Sequence, residues 1–364
     1  MPASTAAAAD RRPWRAAAIV TGLAALWILL SWATVPAGQQ MGTWTTVFST
    51  QQSRAEVLVA QMDGQAFAQQ ATDPSLAHLT AGYSGDQHQA AYRAARPVQG
   101  WVDWVASLGG QRSLLAPMIL VLTVIGIGLL PLATGAVARA LGRELRWGEL
   151  VILTPAAIAC LRWPGLCEPL AVVVAFAGLA AWLRGRHSLG IVLFCVAALT
   201  RETTLLIPLG LALTTMAQTR RLRPALPFGI PALAYVLWAG VVRLRIGAFP
   251  TGSAQMGLPF VGLVRTVPHW QLPELITFVL LVAACVELWR SRDAVLRGIL
   301  VAHVAFVSCL GPLVWWYWWG FGRVTLPLFL LALTRPASHP ADDDDAGVIA
   351  GADVAADASV PATA

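Results

Sequence analysis

Lysine is absent from this chain: all 25 of its basic residues are arginine. Charge of either sign is scarce, at 12% of the 364 residues against about a quarter in soluble domains. That shortage excludes an ordinary soluble globular protein. Cysteine is also sparse. Cys160, Cys167, Cys195, Cys285 and Cys309 lie in or at the ends of apolar runs, without the spacing of a metal-binding set, and read as buried thiols. Cys160 and Cys167 fall near one membrane face, where an oxidising compartment would let them pair. The sequence pI of about 9.5 raises nucleic acid as a partner. The arginines do not form a patch, however; they sit in short clusters between apolar runs, which argues against nucleic acid.

What the chain has in quantity is apolar length. It is 57% hydrophobic, with a mean hydropathy of +0.64. Reading apolar runs against breakers predicts an all-α polytopic membrane protein with about ten transmembrane helices. These fall near 16–35, 113–138, 148–163, 166–183, 189–201, 203–218, 225–243, 273–289, 295–318 and 321–334. The run at 16–35 is long for a signal-peptide core and reads as a retained first helix behind Arg11, Arg12 and Arg15.

Placing residues 1–15 in the cytoplasm gathers fifteen of the arginines there, all in short segments, as the positive-inside bias requires. The expectation is a multi-pass protein of the bacterial plasma membrane, with a membrane domain over 16–335 and both termini cytoplasmic. The tail at 336–364, with acidic Asp342 to Asp345, lacks the apolar content to fold. A large first loop, 36–112, then lies outside. So do turns holding Glu168, Arg201, Glu202 and Arg323, charged groups at helix ends that are costly unless they meet water or each other.

The outer loop carries order signals. Ser53 to Gln61 reads as a short amphipathic helix, Asp63-Gly64 breaks it, Phe67 to Ala71 resumes, and Asp73-Pro74 opens another turn with Asp73 as its N-cap. Trp101 and Trp104, at i and i+3, suit an interfacial helix. Asp63 admits two readings: a turn residue with Gly64, or a carboxylate held near arginine to take a proton from a hydroxyl.

The run Asp63-Gly64-Gln65-Ala66-Phe67 with Asp73-Pro74, then Tyr92-Arg93 through Arg96-Pro97 and Gly100-Trp101, resembles a family of bacterial polytopic proteins linked to cell-surface glycopolymer formation. Glu168-Pro169-Leu170-Ala171, Leu199-Thr200-Arg201-Glu202-Thr203 and Gly322-Arg323-Val324 resemble its later signatures. Ala66 and Ala68 depart from it, where relatives often carry aromatic residues. The family in turn resembles the GT-C fold of membrane glycosyltransferases, whose catalytic acidic residue lies in the first extracytoplasmic loop.

The resemblance implies a GT-C-like glycosyltransferase that moves a sugar from a polyprenyl-phosphate donor to a cell-envelope glycan acceptor. Asp63 would be its catalytic base, with Gln65, Asp73, Arg96, Glu168, Arg201, Glu202 and Arg323 binding substrate. Arginine suits the lipid phosphate because its planar fork donates two hydrogen bonds. Glu168 and Glu202 have three candidate roles: orienting Arg201, binding acceptor hydroxyls, or ligating Mg²⁺ or Mn²⁺. Bland readings stand beside these. Arg201-Glu202 could pair to close a turn, Glu168 could cap a helix, Asp73 could only shape its loop, and Arg323 could anchor at the interface. A flippase of lipid-linked precursors and a non-catalytic assembly scaffold are the rival functions.

Overall fold

The computed structural model describes residues 3–36, 38, 47–48, 52–77, 87–250 and 255–337. The chain is mostly helical. A long first helix, α1 (Ala3–Thr34), is followed by four short ones: α2 (Arg54–Val59), α3 (Gly64–Thr72), α4 (Gln87–Ala94) and α5 (Pro97–Ala106). The long α6 (Arg112–Ala140) leads to strand β1 (Arg143–Leu145) and to α7 (Pro155–Arg162), α8 (Glu168–Leu183), α9 (His187–Thr200), α10 (Leu206–Thr219) and α11 (Ile230–Ile246). After these come α12 (Val261–Thr266), α13 (Leu272–Arg290), α14 (Ala294–Ser308), α15 (Pro312–Trp315), α16 (Trp318–Val324), α17 (Leu326–Ala332) and strand β2 (Thr334–Pro336). β1 and β2 pair antiparallel, with Glu144 opposite Arg335.

Four stretches are long and apolar enough to cross a membrane: Arg12–Thr34, Arg112–Ala140, Arg223–Ile246 and Leu272–Arg290. α8, α9 and α14 are apolar but shorter. The expected span 203–218 is one helix, α10, whereas three others are broken, and proline explains where. Within 148–163, Thr154 takes an extended conformation ahead of Pro155 and caps α7 through its hydroxyl, which accepts from the Ala157 amide. Within 295–318, α14 stops at Ser308, ahead of Gly311-Pro312. Within 321–334, Thr325 separates α16 from α17, which has proline in its first turn.

The short helices of the polar region dock on the long ones at close quarters. A Cβ on Gly64 would stand 2.6 Å from the Pro164 carbonyl, and one on Gly165 would stand 2.8 Å from the Gly64 Cα. Gly165 has φ +89° and its amide donates to Thr123 Oγ1, fixing that loop to α6. On the other side, Leu76 and the alanines of α4 (Ala90, Ala91, Ala94) pack on Val242, Ile246 and Ala248. The Trp238 indole donates to the Ala94 carbonyl and meets Trp101 edge-on. Trp101 and Trp104 are part-exposed.

Candidate functional site

Asp63 owes its place to a sharp reversal. A capping box between Ser53 and Glu56 starts α2. That helix ends at Ala60, and Met62 adopts φ +53°, a left-handed conformation that turns the chain. Asp63 then occupies the N-cap position of α3 without using its side chain as a cap. Its Oδ1 accepts instead from Arg93 Nε at 3.1 Å, and its Oδ2 lies 3.9 Å from Arg96 Nη1.

Arg96 is fully buried and makes a two-pronged bond to Glu202, both arms 2.8 Å, with its guanidinium over the Tyr92 ring at 4.2 Å. Arg201, extended at φ −156° and ψ 122°, points away from Glu202. Its Nη1 lies 2.8 Å from Glu168 Oε1, the same oxygen that stands 3.4 Å from Arg323 Nε. Arg323 rests on Trp319, whose close ring neighbours include Tyr317 and Trp163.

The seven charges form two groups. Arg93, Asp63, Arg96 and Glu202 balance, whereas Arg201, Glu168 and Arg323 carry one positive charge in excess. Arg201 Nε and Arg323 Nη1 are buried without a hydrogen-bond partner among the described residues. Buried polar groups left unpaired are costly, and both Glu168 carboxylate oxygens share that state among the described residues. Burial alone would raise the Asp63 carboxyl, but Arg93, followed by Arg323, Arg96 and Arg201, brings it down to about 2. Burial likewise opposes Glu202, and Arg96 followed by Arg201 brings it to about 2. Both are anions at neutral pH.

These groups border a cavity of about 690 Å³. Asp63, Arg93, Arg201, Glu202 and Arg323 line its charged side; Met256, Phe306, Leu310, Leu313 and Val314 supply an apolar side. Of the residues singled out from sequence, Asp63, Arg201, Glu202 and Arg323 reach the cavity. Arg96 and Glu168 lie behind its wall as the ionic partners of residues that do. Gln65 is buried and Asp73 is remote, so neither joins the lining. Asp73 ends α3, and its Oδ1 accepts from Ser75 Oγ and the Ala77 amide, the work of a turn residue. The pairing of Arg201 with Glu202 gives way to separate partners for each, because the extended Arg201 sends consecutive side chains in opposite directions.

Arg93, Gln89, Thr203, Tyr235 and Gln255 also line the cavity and were not singled out. Arg93 had a signal, lying three residues before Arg96 in the Tyr92 to Pro97 run; Gln89, Tyr235 and Gln255 had none.

The donor set does not fit a divalent cation. Among the described residues no three His, Cys, Asp or Glu side chains gather, and each carboxylate here already faces arginine. Comparison with known protein families, curated proteins and solved structures gives no match for this chain.

Proposed function

We propose that the chain is a membrane glycosyltransferase of GT-C type, moving a sugar from a polyprenyl-phosphate donor to a cell-envelope glycan acceptor. In this reading the short and broken apolar segments complete about ten crossings, both termini are cytoplasmic, and the cavity opens on the extracytoplasmic side. One observation carries it: a single cavity combines a surplus of buried guanidinium, an ionised carboxylate and an apolar wall. A ligand that is anionic at one point and greasy over the rest matches that combination.

Arg201 and Arg323 take the phosphate, with Glu168 orienting both. The acceptor hydroxyl attacks the anomeric carbon from the side opposite the phosphate. The new C–O bond forms as the old one breaks, the electron pair leaves on the phosphate oxygen, and the configuration inverts. Asp63 receives the hydroxyl proton. A carboxylate near pKa 2 is a weak base towards a free alcohol. It suffices once that oxygen has bonded to carbon, because the proton is then strongly acidic.

Two variants test the reading in transfer assays with polyprenyl-phosphate sugars, after membrane insertion is verified. Asp63→Asn is expected to lose about 10²–10⁴ in kcat, the range of general-base contributions, whereas Arg201→Ala weakens donor use. Full activity of Asp63→Asn would remove Asp63 from the mechanism. A wild-type chain inactive with every donor would favour the scaffold.

A further inference from the structure

The proposed reading accounts for the charged and apolar sides of the cavity but not for its remaining wall. Gln89, Tyr92, Thr203, Tyr235 and Gln255 are all neutral and polar, and they come from four separate parts of the chain. Gln255 is the best held. Its carbonyl accepts from the Gly311 amide at 2.7 Å, and its Oε1 accepts from the Tyr92 hydroxyl at 2.9 Å, 163 residues away in sequence. With both ends fixed, the Gln255 Nε2 donors are aimed but find no protein acceptor among the described residues. The Tyr235 and Thr203 hydroxyls, also in the lining, likewise make no hydrogen bond among the described residues. Gln89 Oε1 accepts from Arg93 Nη1, which joins this wall to the arginine that holds Asp63.

We infer that this wall is a polyol subsite, in which Gln255, steadied by Tyr92, reads the ring hydroxyls of the sugar while the triad holds its phosphate. This inference rests on the glycosyltransferase reading. The chemistry of the wall supports it. Amides, phenols and hydroxyls both donate and accept, as each sugar hydroxyl does, so neither partner is left with unmatched polarity. An anion would be drawn instead to Arg201 and Arg323, and a hydrocarbon chain to Met256, Phe306 and Leu310. A wall fixed before binding also spares the ligand the ordering of loose amides, which favours discrimination.

The test uses the purified full-length chain in detergent and two probes: a short-chain prenyl phosphate, and the same prenyl phosphate bearing one pyranose. Wild type is expected to bind the glycosylated probe the more tightly. Gln255→Ala should cut that preference about five- to tenfold, the scale of one or two hydrogen bonds, and leave the bare phosphate within about twofold. Tyr92→Phe, which keeps the ring beneath Arg96 and removes one oxygen, should lower the preference in the same sense. Equal weakening of both probes by Gln255→Ala, or no change in either, overturns the subsite. Wild type binding both probes equally overturns it too but leaves the phosphate site standing. Wild type binding neither overturns the functional reading and the subsite with it.

Discussion

A carboxylate at the head of a helix usually turns back to cap it, and Asp63 does not. Its two oxygens face Arg93 and Arg96, so the α3 amides go without that cap and the charge is kept for the cavity. The arrangement has a pH signature. Asp63 and Glu202 sit near pKa 2, below their ordinary 3.8 and 4.5, so over that interval the folded chain binds fewer protons than the unfolded one. Their stabilisation is complete above about pH 4.5 and is lost as pH falls towards 2. Thermal midpoints of the detergent-purified protein should therefore stay level from pH 7 to pH 5 as far as these groups are concerned, then drop. Arg93→Gln removes the strongest opposing charge on Asp63, lets its folded-state pKa rise back towards the ordinary 3.8, and should make that drop shallower. An acid limb left in place by Arg93→Gln would argue against the Asp63–Arg93 clamp.

At the scale of elements, the site depends on how closely α3 approaches the turn before α8. Gly64 and Gly165 meet backbone to backbone, and a Cβ on Gly64 would also stand 2.7 Å from the Val59 carbonyl. Neither neighbour is a flexible side-chain tip that can swing aside. Gly64→Ala should destabilise the protein by about 1–3 kcal/mol, the usual range for overpacking. It should also displace Asp63 from Arg201 and Arg323. A denaturation midpoint unchanged by Gly64→Ala would contradict the close approach. This contact was not legible in Asp63-Gly64-Gln65, where glycine reads as a turn; its partner, Gly165, lies a hundred residues on. The charged members of the site other than Arg93 were legible. In so apolar a chain, Glu168, Arg201, Glu202 and Arg323 at helix ends have few inexpensive explanations. Their division of labour was not, since the sequence cannot tell which arginine faces which carboxylate. Gln255 and Tyr235 gave no signal, because uncharged polar residues are tolerated almost anywhere at a membrane surface. The break at Pro155 was readable from the constraint on the residue before proline, and that near Pro327 from the place of proline in a first turn; apolar length alone reads both as continuous.

At the scale of the whole molecule, charge distribution and three-dimensional contact bear on the same division. Asp63, Glu168, Arg201, Glu202 and Arg323 meet at one place. Under the proposed topology that place is extracytoplasmic. Cysteines introduced at Ser75 and Ser188, both exposed, should separate cleanly in intact cells. An impermeant thiol reagent is expected to label Ser75→Cys and spare Ser188→Cys; the reverse pattern would turn the cavity inward. The ribbon of Arg143–Leu145 with Thr334–Pro336 acts at this same scale. It closes a loop of about 190 residues, yet closure entropy rises only logarithmically, by about 0.6 kcal/mol per doubling of length. The ribbon, reinforced by Arg143 on the Thr334 carbonyl and hydroxyl, joins the segment leaving α6 to the end of α17. The part of the chain bearing Asp63 and the part bearing Arg323 are thereby tied together through a contact outside the charged cluster.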